Sequence, residues 1–210
     1  HDKQRSVGKV GMGIACGYYQ LIKCYNNNMT SLEQPIRITG IHTYRVYDTS
    51  SFEAKVLDFL IQQLVTFRFS IPSKLHRRAY MSLTGMLKRY MKREEVIKNL
   101  ITTAGRSVLA QRLANTTTYT GIINYGVLGS SATAVANGDT QLTAEVFRKV
   151  VASASYTTNV AFIDFFYSKT DTNGTYQEFG TVIDGTASAN TGQLFTHALT
   201  GGWTKTSSES

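Results

Sequence analysis

Three acidic residues in the second half of the chain are the side chains best suited to acid–base chemistry. Glu178 and Asp184 flank the segment FGTVI, and Asp164 lies within FIDFFY. Two carboxylates can act as general acid and general base when they converge on one cleft. An acid among strand aromatics more often lies on the solvated face, and a buried Asp164 would need a partner such as Arg148 or Lys149. The acids alone therefore give no positive support for catalysis.

Histidines and cysteines add no recognisable catalytic or metal-binding pattern. The four histidines, His1, His42, His76 and His197, lie far apart, whereas two imidazoles on one helix or hairpin need close spacing to bind one metal ion. His197, in LFTHAL, is interpreted as a half-buried strand residue with no acid near it in the sequence. No Gly-x-Ser-x-Gly elbow, Cys–His signature or phosphate loop occurs. We therefore predict a protein that is not an enzyme, with no cofactor and no metal site.

Positive charge is concentrated in the first half of the chain. Residues 1–115 contain 18 Lys and Arg against 7 Asp and Glu, a net charge of +11, while residues 116–210 contain 4 against 7, a net charge of −3. Arg77 and Arg78 lie in KLHRRAY, and Arg89 and Arg93 lie in KRYMKREE. Such residues can contact nucleic acid, anionic lipid or an acidic protein surface, or they can form an ordinary solvated face. We expect these four arginines to be interaction residues.

Aromatic residues in the second half are candidates for contacts with other molecules. Consecutive aromatics in a strand point to opposite faces, so some of those in FIDFFY must be exposed or must bury against another chain, unless all of them fill the core. We predict that Phe165, Tyr167 and Trp203 take part in a subunit contact, with core filling as the alternative. A host-surface carbohydrate module that stacks sugars on Trp203 and Tyr176, beside Glu178, is a further hypothesis.

The first 83 residues are expected to contain an arm and a small basic α/β segment. Residues 1–34 are rich in Gly, Tyr and Asn and are interpreted as an arm or extension. Residues 35–83 are interpreted as the α/β segment, in which PIRITGIHTYRVYD predicts a strand bent at Gly40. In the next stretch the apolar positions recur every fourth residue, which predicts an amphipathic helix with Ser50 or Ser51 as N-cap. The residues of this apolar stripe are Phe52, Val56, Leu60 and Leu64.

Residues 84–210 are expected to form a β-rich structural domain. Residues 84–102 predict two strands about a charged KREE turn. Residues 103–114 predict a short helix capped by Thr102 or Thr103, with Val108, Leu109 and Leu113 on its apolar stripe. Five further strand-like runs follow, separated by turn-rich pieces. The predicted fold class is mainly β: an antiparallel β-sandwich or open barrel in the C-terminal half, and a mixed α/β N-terminal half with one or two helices.

The glycine- and serine-rich stretch 125–149 is the one segment that suggests a ligand loop. A phosphate loop should lead into a helix whose N-terminus receives the anion, but the end of this segment, leading into VVASASY, favours a strand. We interpret it as a long connection between strands, with its turn at Asn137, Gly138 and Asp139. The longest apolar run, residues 56–65, is far shorter than the roughly 20 residues that span a bilayer, so we expect a soluble protein without a membrane span.

Four segments in fixed order resemble a known family. They are LITTAGRSVLAQRL, INYGVLGSSATAVANGDTQLTAEVFR, VAFIDFFYSKTDTNGTYQEFGTVIDG and GQLFTHALTGGWTKTSSES. Over about residues 95–210 this layout resembles tailed-bacteriophage virion proteins of the tail, baseplate and fibre-base kind, although Val135 stands where a proline is common.

The resemblance implies a non-enzymatic structural part that forms rings or trimers with copies of itself and holds a fibre or another tail protein. It also implies a place in the tail or baseplate region of a virion, after synthesis in the host cytoplasm. The alternatives from the residues themselves are a nucleic-acid-associated basic protein and the carbohydrate-binding module described above.

Overall fold

A computed structural model describes residues 16–21, 38–67, 70–116 and 118–210. The helices are α1 Phe52–Thr66, α2 Ser73–Leu87 and α3 Thr103–Leu113, and a short 3-10 turn covers Lys88–Tyr90. The strands are β1 Cys16–Leu21, β2 Ile38–Tyr47, β3 Met91–Ile101, β4 Ile123–Gly129, β5 Glu145–Val150, β6 Ser153–Thr157, β7 Val160–Asp164, β8 Gly174–Ile183 and β9 Gln193–Lys205. The prediction of a mainly β chain with its helices on the N-terminal side is confirmed.

The described strands form one antiparallel sheet that curls round so that its two ends meet. Its order is β5-β4-β8-β9-β3-β2-β1-β7-β6, so the sequence neighbours β5 and β6 lie at opposite ends. The two residues between them bridge these ends: the Val151 N–H donates to Asn124 O at 3.0 Å, and the Ala152 N–H donates to Asp164 O at 2.7 Å. Curling a sheet in this way encloses one face as a core and leaves few unpaired edges.

The main core lies inside this curled sheet and is dominated by aromatic side chains. Tyr44 of β2 stacks on Trp203 of β9, with ring centroids 4.2 Å apart, and Phe179 of β8 contacts both Trp203 and Phe165. Val108 is the buried residue by which α3 joins the same cluster. Large buried aromatic side chains contribute most of the hydrophobic stabilisation of such a core, because each removes a large apolar area from water.

A helical hairpin, α1 and α2, packs on the outside of the sheet and forms a second cluster. Ile61 and Val65 of α1 pack with Tyr80 and Leu87 of α2, and Phe166 joins them from the sheet side. We call this the hairpin cluster. α1 starts at the predicted cap, since Ser51 Oγ accepts a hydrogen bond from the Ala54 N–H at 3.1 Å.

The face of α1 that was expected to be buried is the wrong one. The residues of α1 that are buried are Ala54, Asp58, Ile61 and Val65. Phe52, Val56 and Leu60 of the predicted apolar stripe are exposed, whereas its fourth residue, Leu64, is partly buried and packs against the hairpin cluster. Because α1 has apolar residues on two faces, either face could pack against the core, and the periodicity of the sequence does not show which one does.

The predicted hairpin at residues 84–102 is also wrong. α2 continues to Leu87, and β3 then runs without interruption through the KREE segment. β3 accommodates these charges because its polar side chains are largely exposed. Glu94 also pairs with Arg45 on the neighbouring strand β2, at 3.1 Å. A turn is therefore unnecessary to solvate them.

The predicted boundary at residue 84 does not correspond to a break in the structure, and the predicted boundary at residue 34 lies outside the described residues. The boundary at residue 84 falls inside α2, and β2 is hydrogen-bonded to β3 in the same sheet. β1, at residues 16–21, lies between β2 and β7 although residues 1–34 were predicted to be an arm, and the rest of that arm lies outside the described residues.

The short helix predicted at residues 103–114 is confirmed as α3. Thr102 Oγ1 accepts from the Gly105 N–H at 3.0 Å, which makes Thr102 the N-cap. Leu113 was placed on the apolar stripe but is 88% exposed, so this assignment was wrong. Throughout the described ranges, the helices are too short or too polar to cross a membrane.

Candidate functional site

The aromatic residues predicted to form a subunit contact are buried within the chain. Phe165, Tyr167 and Trp203 are all core residues. Their predicted surface role is corrected to core packing, for a physical reason: the aromatic run is covered on both faces. Phe165 and Tyr167 point into the main core, while Phe166, between them, points into the hairpin cluster.

The residues proposed for a carbohydrate-binding module are also buried, so they offer no surface to a sugar. Trp203 and Tyr176 are buried, and Glu178 has no exposed surface. A sugar needs an exposed aromatic face to stack on, and these two rings contact protein instead. The residues proposed for that module therefore do not form a carbohydrate site.

The structure contains a buried cluster of ionisable residues that the sequence pattern did not predict. His197 Nε2 lies 2.9 Å from Glu178 Oε2, and His197 Nδ1 lies 2.7 Å from Asp139 Oδ2. Glu178 also accepts hydrogen bonds from the N–H groups of Thr143 and Ala144, at 3.1 and 2.8 Å. No acid lies near His197 in the sequence, and the fold brings Asp139 and Glu178 to it from distant segments. The prediction of a half-buried strand residue is corrected, because His197 is fully buried.

The geometry of this cluster favours structural anchoring over catalysis. Both ring nitrogens of His197 and both carboxylate oxygens of Glu178 are occupied by protein groups, and both side chains are fully buried. A general base must reach a substrate proton, and no atom of this pair is open to one. The cluster instead fixes the long connection between β4 and β5 against the sheet. The turn predicted at Asn137 to Asp139 is present there, with the Asp139 N–H donating to Ala136 O at 3.1 Å.

The outer face of α1 is the most prominent apolar surface of the described residues. Phe52 is 79% exposed and Phe59 is 56% exposed, and Val56 and Leu60 are exposed on the same side of the helix. Spacings of four, three and one residue place all four on one face, opposite the buried residues. We call these four residues the outer face of α1. Such a continuous apolar face on a helix marks a contact site for another molecule.

Three of the four predicted arginines belong to a second surface. Arg77 and Arg78 are exposed on α2, and Arg89 is exposed in the 3-10 turn that follows. Arg93 differs, because its Nε pairs with Glu95 at 3.2 Å and its guanidinium lies over the Tyr44 ring. We define the cationic surface as Lys74, Arg77, Arg78, Lys88 and Arg89. Within the described ranges, none of these five cations has an acid within ion-pair distance.

The acidic residues of the described ranges are already engaged. Nine are in ion pairs or hydrogen bonds: Asp48, Glu53, Glu94, Glu95, Asp139, Glu145, Asp171, Asp184 and Glu209. The other three, Asp58, Asp164 and Glu178, are buried. The cationic surface is therefore not neutralised by the described part of its own chain. The same ranges contain no cluster of His, Cys, Asp and Glu that could hold a metal ion.

Comparison with protein-family models, with curated proteins and with solved structures found no match to this chain. The resemblance to tailed-bacteriophage virion proteins therefore stays a prediction.

Proposed function

We propose that the protein is a non-enzymatic structural subunit of a virion tail or baseplate, which assembles with copies of itself through the outer face of α1. The virion context comes from the resemblance over residues 95–210. The observation that supports assembly is the exposure of Phe52, Val56, Phe59 and Leu60 on one helix face.

The energetic argument follows from the two-sided character of α1. Its inner face already packs in the hairpin cluster through Ile61 and Val65, so the outer face is not needed to hold the helix in place. Fully burying an exposed Phe side chain contributes about 1.5–3 kcal/mol. Phe52 and Phe59 together can therefore supply a large share of the free energy of a contact between subunits, as aromatic residues do at interface centres.

The test is the concentration dependence of the molecular mass, measured by sedimentation velocity and native mass spectrometry. We expect the wild-type chain to associate as its concentration rises, and Phe59→Lys to weaken association by about tenfold or more. Leu113→Lys is the matched control, because Leu113 is an exposed leucine on α3, away from the outer face of α1. It should associate as the wild type does.

The unfolding free energy of each variant must be measured alongside its mass. Because Phe59 is already exposed, we expect Phe59→Lys to change the unfolding free energy of the monomer by no more than about 0.5 kcal/mol. A wild-type chain that stays monomeric at the highest concentration reached would contradict the proposal.

A further inference from the structure

The cationic surface carries a charge pattern that is unfavourable for the helix on its own. Lys74 lies in the first turn of α2, where the helix dipole is positive, and Arg77 and Arg78 follow in the second turn, while the last turn of α2 has no basic residue. The first turn also lacks an acid, and its N-cap, Pro72, makes no side-chain capping bond. Cations at this end of a helix oppose the dipole. An anionic group placed here would therefore interact favourably with both the cations and the helix end.

Two exposed apolar side chains lie beside these cations on α2. Leu75 is 59% exposed and Met86 is 52% exposed. Together with Arg78 and Ser82 they follow spacings of three and four residues, which places them in one stripe along α2. Eleven residues separate Leu75 from Met86, so they are about 16 Å apart along the helix axis. The surface thus offers two apolar contact points with Arg78 beside them, and Lys74 and Arg77 lie further round the same helix.

A second copy of the chain does not match this surface. The described acids are paired or buried, as shown above, so another copy presents no free acidic patch in its described ranges. A partner that complements the surface must supply carboxylates that are not already engaged, because like charges brought together across an interface oppose association.

We propose that the cationic surface binds an acidic segment of a different protein, with apolar side chains that contact Leu75 and Met86 and carboxylates that pair with Arg78 and the neighbouring cations of this surface. This inference rests on the proposed structural role, since it identifies the kind of neighbour that the subunit contacts, but it uses a surface separate from the outer face of α1. Helices that carry apolar anchors a few turns apart commonly dock such segments.

A nucleic acid fits these observations less well. Phosphates would satisfy the cations but would leave Leu75 and Met86 in contact with a charged backbone. Single-stranded nucleic acid is generally held by bases stacked on exposed aromatic rings, and the aromatic residue within α2, Tyr80, is fully buried. The apolar contact points therefore favour a protein partner.

The test uses a fluorescently labelled helical peptide as the probe, rich in Glu and with two Leu residues eleven positions apart. Its anisotropy is measured with the full chain at low and at physiological ionic strength. A peptide with both Leu replaced by Ser and a DNA duplex of equal charge are measured in parallel. We expect the first peptide to bind most tightly, and its Ser-substituted form to bind about tenfold more weakly.

Charge reversal locates the binding surface. We expect Arg77→Glu combined with Arg78→Glu to weaken peptide binding by about tenfold or more. The matched control reverses two exposed cations elsewhere, Lys98→Glu on β3 with Arg112→Glu on α3, and should change the affinity by less than about threefold. Leu75→Ser should weaken binding without affecting the fold, because Leu75 is exposed.

Each result decides the question. If the duplex binds as tightly as the peptide or more so, with a log–log salt slope of about −4.5 for five phosphate contacts, the surface binds nucleic acid and the proposal is wrong. Absence of peptide binding at low ionic strength also overturns it. Phe59→Lys should leave peptide binding unchanged, because Phe59 lies outside the cationic surface. A wild-type chain that stays monomeric but binds the peptide would refute only self-association. A wild-type chain that associates but does not bind the peptide would refute only this inference.

Discussion

Glu178 Oε2 lies 2.9 Å from His197 Nε2, and neither of these two side chains has any exposed surface. They come from adjacent strands, β8 and β9, and they link the sheet to the connection between β4 and β5 through Asp139, Thr143 and Ala144. Because neither side chain can be rehydrated without opening the fold, this pair should be the least replaceable polar contact of the β-rich region.

Removing one member of the pair should be strongly destabilising. We expect Glu178→Ala to lower the free energy of unfolding by about 3–5 kcal/mol, since it removes the buried partner of His197 Nε2 and of two backbone N–H groups. Chemical denaturation measures this loss, and hydrogen exchange should show faster exchange of the Thr143 and Ala144 amides. Glu95→Ala is the control, because its pair with Arg93 is partly exposed and should be worth less than about 1 kcal/mol. Equal losses in the two variants would refute the anchoring role of Glu178.

His42 should make the stability depend on pH. Burial lowers the pKa of the His42 imidazole from 6.5 to about 3. The unfolded chain therefore binds the proton first, and the free energy of unfolding should fall as the pH drops from about 6.5 towards 3. A shift of this size corresponds to a change on the order of 5 kcal/mol over the whole window.

The variant His42→Gln tests this dependence. A Gln oxygen can still accept from Asn99, whose Nδ2 lies 3.0 Å from His42 Nε2, but Gln does not titrate. We expect the wild type to lose stability relative to His42→Gln as the pH falls, measured by urea denaturation at several pH values. Parallel curves for the two proteins would contradict the prediction.

Asp58 should give a pH dependence of the opposite sign. Burial in α1 raises its pKa above 3.8, although the Lys169 N–H donates to its Oδ1 at 3.2 Å. The folded protein therefore holds the proton more tightly than the unfolded chain, so the charged carboxylate reduces stability at neutral pH. Asp58→Asn should be at least as stable as the wild type at pH 7. This advantage should shrink as the pH approaches 3.8, and an advantage that grows at low pH would count against the assignment.

Two glycines provide a matched test of core packing. A Cβ at Gly126 of β4 would lie 2.7 Å from the Phe165 ring, whereas a Cβ at Gly138, in the connection after β4, would meet nothing within 4 Å. We expect Gly126→Ala to cost about 1–3 kcal/mol through overpacking. Gly138→Ala should be neutral or stabilising by up to about 1 kcal/mol, because it reduces the entropy of the unfolded chain. Thermal unfolding of both variants gives the comparison, and equal effects would show that the Gly126 contact does not constrain the core.

Local patterns predicted most of the elements well. The alternation of apolar and polar residues located β2 and the five later strand regions, and the threonine before α3 located its cap. The predictions failed where a pattern had two solutions. α1 has two apolar faces, and the charged segment in β3 can form either a turn or an exposed strand, so the neighbours in the fold made the choice.

For the candidate sites, the sequence likewise predicted the residue types but not the contacts between them. The sequence showed that residues 74–93 are rich in positive charge, because charge is a property of residue type. It could not show that Arg93 pairs with Glu95 while Arg77 and Arg78 have no acidic partner in the described ranges. It could not show the cluster of Glu178, His197 and Asp139 either, since Asp139 and His197 are 58 residues apart.

The sequence by itself therefore determined the β-rich class, most strand and helix positions, and the basic character of the first half of the chain. These follow from local periodicity and residue type, which act over a few residues. The tertiary structure decided which aromatic residues are buried, which face of α1 is exposed, and which acids and bases meet. Those outcomes depend on how a closed sheet brings distant segments together, and no local pattern encodes that geometry.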